Sequence, residues 1–259
     1  MRRSPRTSPL RTVLRAVVPL LVTASLHAGT PPAASVHLLV PNILEGAVRE
    51  LDPLLRSRVG APLNIEYLQM SVLADRLNKG GQADVAMLTK ANIQPLAASG
   101  RIRAQYDVVQ SALGIAVPDG APLPAMKTPE DLIAFIRSTP SIALFGTGAS
   151  GAALMQFAEK NGLAGTLRSK ATIITEGNAG TLLRDGKVAS AMQQVAELKF
   201  GGANNVVPLP EALQTHPVSA VIVLEGSANA DAAAKLAQLL RSPEAVAAYR
   251  RAGLTPVIR

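Results

Sequence analysis

The chain has 259 residues, 48% of them hydrophobic and 17% charged, long enough to close a sizeable core and too apolar to stay disordered. It has no cysteine, which excludes disulfide scaffolds, thiolate metal sites and cysteine nucleophiles; 3% aromatics with no tryptophan argue against base stacking on single-stranded nucleic acid. The formal charge of +8 falls to +3 (21 basic against 18 acidic residues) beyond residues 1–28, so the basic balance implies no nucleic-acid partner.

Residues 1–28 carry Arg2, Arg3, Arg6, Arg11 and Arg15 and no acid, then an apolar run from Ala16 to Leu26 and small residues at Ala28-Gly29. That order predicts a signal peptide. The apolar run is shorter than the roughly 20 residues of a bilayer span, so no stable membrane insertion is expected. Without a cysteine after the leader, a lipid anchor is not expected either. The mature chain is expected to begin near Gly29 and to be periplasmic and monomeric.

Short apolar strands then alternate with amphipathic helices, the pattern of a mostly parallel sheet covered on both faces. Strands are predicted at Val36–Val40, Leu63–Tyr67, Ala83–Leu88 and, as one longer β run, Val108–Val117. Helices are predicted at Leu44–Val59, Ser71–Lys79 and Ile93–Ser99. A second series follows Pro118-Asp119-Gly120. Thr128 caps a helix that has Pro129 in its first turn and Asp131 facing the free amides, running to Ser138. Strands at Ile142–Phe145, Thr172–Thr175 and Ser190–Gln194 alternate with helices at Ser150–Asn161 and Ala179–Arg184. Val218–Leu224 is a buried strand, and helices at Ala230–Leu240 and Pro243–Ala252 close the chain, the last capped by Ser242 and stopped by Gly253.

Two series joined by β crossings near 111–120 and 206–218 predict two α/β lobes: residues 29–115 plus 217–259, and residues 116–216. A ligand is expected in the cleft between them.

Gly146-Thr147-Gly148-Ala149-Ser150-Gly151 follows a strand and opens a helix, presenting free amides and a positive dipole end to an anion. As a dinucleotide fingerprint it is weak. It stands mid-chain, and Glu176 lies 30 residues beyond Gly146 rather than about 20. A plain tight turn is the other alternative. Catalytic patterns are poor: His27 falls in the leader, and no G-x-S-x-G elbow or metal spacing accompanies His37 or His216. A hydrolase could use Ser150, although no partner is indicated. No metal or cofactor is implied. Small polar residues gather instead at the carboxyl ends of the strands, where open α/β sheets bind ligands. They are Asn42, Ser71, Thr89-Lys90, Thr147 to Ser150, Gly177-Asn178 and Gln193-Gln194. Any one of them could be a helix cap; their joint placement points to a site.

Three stretches, Ser71–Ile102, Lys127–Ile136 and Leu239–Pro256, resemble in order the periplasmic solute-binding proteins of ABC importers, of the two-lobed molybdate-binding type. The resemblance implies a type II periplasmic-binding fold of class α/β that captures a small anion, an oxyanion or organic acid, and delivers it to an ABC permease by hinge closure. It implies contacts at Asn42, Ile43, Met70 and Ser71 from the first lobe, and at Ala149, Ser150, Asn178, Ala179 and Gln194 from the second. The family's serine loops here read Val40-Pro41-Asn42-Ile43 and Gln69-Met70-Ser71-Val72, and its site tyrosine aligns with Gln194. Those departures favour an organic acid over molybdate, with Lys90 as a peripheral charge. A secreted serine hydrolase and a ligand-binding partner of a membrane sensor are the rival readings.

Overall fold

The computed structural model describes residues 35–146 and 149–258, and the predicted signal peptide lies outside them. The chain opens with β1 (Val36–Pro41), α1 (Asn42–Arg58), β2 (Leu63–Leu68), α2 (Met70–Asn78), β3 (Val85–Thr89), α3 (Lys90–Ala98) and β4 (Ile102–Gln110). It continues through β5 (Leu113–Ala116), α4 (Pro129–Ser138), β6 (Ile142–Phe145), α5 (Ala149–Lys160), α6 (Ala164–Lys170), β7 (Ala171–Ile174), α7 (Ala179–Arg184), β8 (Ala191–Gln194), α8 (Val195–Phe200) and β9 (Val206–Pro208). It ends with β10 (Val218–Leu224), α9 (Ala230–Leu239), α10 (Pro243–Arg251) and β11 (Thr255–Pro256).

These strands form two sheets, ordered β11-β4-β10-β3-β1-β2 and β7-β6-β8-β5-β9. In the first, β1 pairs in parallel with β2 and β3, and β10 lies antiparallel between β3 and β4. In the second, β6 is parallel to β7 and β8, while β5 is antiparallel to β8 and β9. Helices cover both faces of each sheet, so alternate residues of one strand enter different cores. Val36, Leu38 and Val40 join the core under α1, α9 and α10, whereas Leu39 joins that of α2 and α3. Ile142 and Leu144 pack with α4 and α5, and Ala143 with α7. The architecture is a two-lobed α/β fold.

Local chemistry sets the helix starts away from the cleft. Thr128 accepts from the Asp131 amide at 3.3 Å and Asp131 accepts from the Thr128 amide at 2.9 Å, a capping box at the head of α4. Ser242 accepts from the Ala245 amide ahead of α10.

Several features differ from the sequence expectation. The single β run over Val108–Val117 is two strands in different sheets, with the crossing at Ser111–Ala112, so β5 belongs wholly to the second sheet and the change of sheet precedes residue 115. The first part of β4, Ile102–Asp107, is absent from the expectation, because its alternating polar residues obscure an apolar run. Helices α6 and α8 are absent from it too; at seven and six residues they are too short to show a helical period.

Candidate functional site

A cavity of about 460 Å³ lies between the two sheets. The first lobe lines it with Pro41, Asn42, Ile43, Gln69, Met70, Ser71, Thr89 and Asn92, all at the carboxyl ends of β1, β2 and β3 or in the first turns of the helices that follow. The second lobe contributes Leu113, Phe145, Ser150, Ala153, Gly177, Gln194 and Glu197. The two crossing segments form its floor with Ser111, Thr215 and Pro217, and the Ser111 amide donates to the Pro217 carbonyl at 3.2 Å.

Helix starts surround this space. The residues preceding α1, α2 and α3 are Pro41, Gln69 and Thr89; each lines the cavity, and none caps its helix through its side chain. Helix α5 adds Ser150, which is 4% exposed, from its own first turn. Free amides at these helix starts attract negative charge, each start contributing about 0.3–2 kcal/mol depending on burial. Among the described lining residues none is basic. Positive potential therefore comes from backbone dipoles, joined by the hydroxyls and amides of Asn42, Ser71, Asn92 and Ser150. Ile43, Met70, Leu113, Phe145 and Ala153 supply an apolar wall.

Of the residues implied by resemblance, Asn42, Ile43, Met70, Ser71, Ser150 and Gln194 share this cavity. Ala149 opens α5. Asn178 and Ala179 stand beside the lining, where Gly177 takes their place. The Asn178 side chain is engaged in structure: its carbonyl accepts from the Gly180 amide at 2.7 Å, capping α7, and its amide donates to the Glu197 carbonyl at 2.6 Å. The Ala179 amide donates to Gln193 Oε1 at 3.0 Å. Lys90 is exposed and pairs with Asp107 at 2.8 Å, away from the lining. His37 faces Glu66 at 3.3 Å and His216 faces Glu211 at 2.8 Å, and neither histidine is among the residues that line the cavity with Ser150.

Sequence reasoning missed Glu197. It lies at the third position of α8 and is the one ionisable residue among the described lining residues. Burial pushes its carboxyl up to about 7, against the downward pull of hydrogen bonding to the Gln194 backbone and the Gln193 side chain. The spacing Gln194-Val195-Ala196-Glu197 is that of a helix-start carboxyl returning to its cap residue, a local signal that could have marked α8. Beside it, Gln194 Oε1 is buried and has no hydrogen-bond partner. Strand alternation separates the two glutamines of β8: Gln193 turns inward to hold α7, and Gln194 turns to the cavity.

Among the described residues no helix is long and apolar enough to cross a membrane, and no group of three or more His, Asp or Glu could hold a metal.

Comparison with known proteins agrees with this layout. Residues 36–255 match the model of the bacterial extracellular solute-binding protein family. A curated relative, "Aconitate isomerase" from Pseudomonas sp, is 27% identical over 252 residues, covering 92% of this chain and 96% of its own length. Among solved structures, the Azotobacter vinelandii periplasmic molybdate-binding protein superposes with a TM-score of 0.68 at 14% identity, covering 85% of this chain and 98% of its own. The substrate-binding domain of a putative molybdenum ABC transporter from Clostridium difficile gives 0.63 at 14% identity, with 86% and 99% coverage. L-phospholactate-bound PEB3 gives 0.61 at 16% identity, with 85% and 99% coverage. At these identities the structural likeness speaks for the fold, and the family match extends over nearly all of both lobes. The chain belongs to the bacterial extracellular solute-binding proteins.

Proposed function

We propose that this protein captures a small organic acid in the cleft between its lobes, in the periplasm, and presents it to an ABC permease. The observation that carries the reading is the convergence of the α1, α2, α3 and α5 starts on one cavity with no basic side chain among its described lining residues. Such a ring binds carboxylate or phosphate through backbone amides. The volume favours a carbon skeleton. At about 460 Å³ the cavity falls within the roughly 300–1,000 Å³ of small-molecule sites, well beyond a tetrahedral oxyanion. The apolar wall also suits carbon. The ligands named for two similar proteins, aconitate and L-phospholactate, are carbon acids of suitable size.

Calorimetric titration of the mature protein with di- and tricarboxylates, phospholactate, sulfate and molybdate tests this. Binding of at least one carbon acid, with sulfate and molybdate bound at least tenfold more weakly, is the expected pattern. Tight molybdate binding without any carbon acid would overturn it. Loss of uptake of the same acid in cells lacking the protein would support the permease role.

A second reading rests on Glu197 and the aconitate isomerase relative. An isomerase that moves a double bond must take and return a proton, and a carboxyl near pH 7 can do both. Proton NMR of cis- and trans-aconitate with the protein decides it: interconversion establishes catalysis, and unchanged spectra leave capture alone.

A further inference from the structure

Glu197 sits where the two lobes meet. Its neighbour Ala196 packs into the first-lobe core and Leu198 into the second, so α8 spans the seam. Phe200 on the same helix lies against Gly46 of α1, 3.2 Å from where a Cβ would stand. A carboxylate left charged here would oppose an anion drawn in by the surrounding helix starts. A carboxylic acid would donate to it instead. Gln194 Oε1, one turn away and also facing the cavity, is an acceptor without a donor. An unmatched buried acceptor is destabilising, and a bound hydroxyl would relieve it.

We propose that Gln194 and Glu197 form a neutral recognition pair: Gln194 Oε1 accepts from, and the protonated Glu197 carboxyl donates to, a hydroxyl of the bound acid, so that capture near neutral pH takes up a proton. The ligand class is then a hydroxy acid. The inference rests on the organic-acid reading of the cleft.

No charge on the elements packed against α8 substitutes for that proton. On α1, Arg49 pairs with Glu45, Arg56 with Asp52, and Glu50 with Arg251 of α10. On α7, Arg184 pairs with Asp185. Strands β5, β8 and β9 carry no ionisable residue. Lys199 of α8 reaches the Arg251 carbonyl at 3.5 Å. The causes that set the Glu197 carboxyl are burial and the Gln193 and Gln194 hydrogen bonds, and no charged group is among them.

The test uses the mature full-length protein and two matched pairs, citrate against propane-1,2,3-tricarboxylate and malate against succinate. Calorimetry at pH 7.5 in two buffers of different ionisation enthalpy counts protons. Uptake of about 0.8 proton per ligand is expected, the ionised fraction at pH 7.5 of a carboxyl that titrates at about 7. Affinity for the hydroxy acid should fall toward about tenfold per pH unit above pH 8. The hydroxyl-bearing member should bind about 10- to 100-fold more tightly than its partner. E197Q should abolish the uptake and flatten the pH profile, and Q194L should erase the hydroxyl preference. The proton count on the unaltered protein stands even if a variant fails to fold. Binding with no proton uptake and a flat pH profile overturns the recognition pair and leaves the organic-acid reading intact. Equal binding within both pairs overturns it as well. Failure of all four acids to bind at any pH overturns the recognition pair, and the organic-acid reading falls with it only if the wider panel of carbon acids fails as well.

Discussion

Glu197 shows how a single side chain can be set against the molecule that holds it. Its carboxyl titrates near 7 in the fold against an ordinary 4.5, chiefly through burial. The folded state therefore keeps a proton that the unfolded chain releases between those values. Stability from this group is fully present below about pH 4.5 and is lost as pH rises through about 7. The loss reaches at most about 3 kcal/mol at pH 8, since a tenfold difference in proton affinity between folded and unfolded chain is worth about 1.4 kcal/mol. In the ligand-free protein, E197Q should accordingly raise the melting temperature at pH 8 and leave it little changed at pH 5. Thermal unfolding at the two pH values measures this, and an equal change at both would contradict it. Nothing in the composition points to this residue. Glu197 is one of 18 acids, and its neighbours in sequence are ordinary. Its environment is assembled from β8, α1 and α7, and α1 lies far from it along the chain. By contrast, Asn178 stands out in the sequence as polar and well placed, yet capping α7 occupies it. A small polar residue at the end of a strand serves either purpose, and only geometry separates them.

At the level of elements, Gly146 and Gly151 are explained by packing and need no nucleotide. A Cβ on Gly151 would lie 2.1 Å from the Phe145 carbonyl oxygen, and one on Gly146 would lie 2.5 Å from Ile173 Cγ2. Helix α5 thus starts hard against the end of β6, which brings Ser150 to the cavity. G151A must push the helix start outward. We expect a loss of about 1–3 kcal/mol in stability, as for overpacked cores. Affinity for the captured acid should fall too, because the α5 amides retreat. Denaturant unfolding and titration together check this, and a stable variant with unaltered affinity would refute it. The longer helices are legible because their caps and periods are local: Thr128, Asp131 and Ser242 all act as their spacing suggests. Helix α8 and the division between β4 and β5 are not legible. A strand passing from one sheet to another keeps the same apolar pattern on both sides of the crossing.

For the whole molecule, ligand between the lobes must stabilise the folded state, since the unfolded chain offers no cleft. At a hundred times its dissociation constant, a bound acid should add about 2.7 kcal/mol. For a chain of this size that raises the melting temperature by roughly 5–10 °C. The acids that bind by calorimetry should be those that move the melting point, and a binder that leaves it in place would have to bind the unfolded chain equally well, against capture in a folded cleft. Direct contacts already join the lobes: Gln69 Nε2 donates to the Thr175 carbonyl at 3.3 Å across the cavity, and α8 packs into both cores. From its residues alone, this protein is readable as a two-lobed α/β binding fold with an anion-facing edge. Strand and helix periods, caps and the carboxyl ends of strands are properties of neighbouring residues. The tertiary structure alone decided which polar groups meet, that no basic side chain joins them among the described residues, and that one carboxyl stands among the helix starts. Burial and potential depend on residues distant in the chain, and no stretch of sequence contains them.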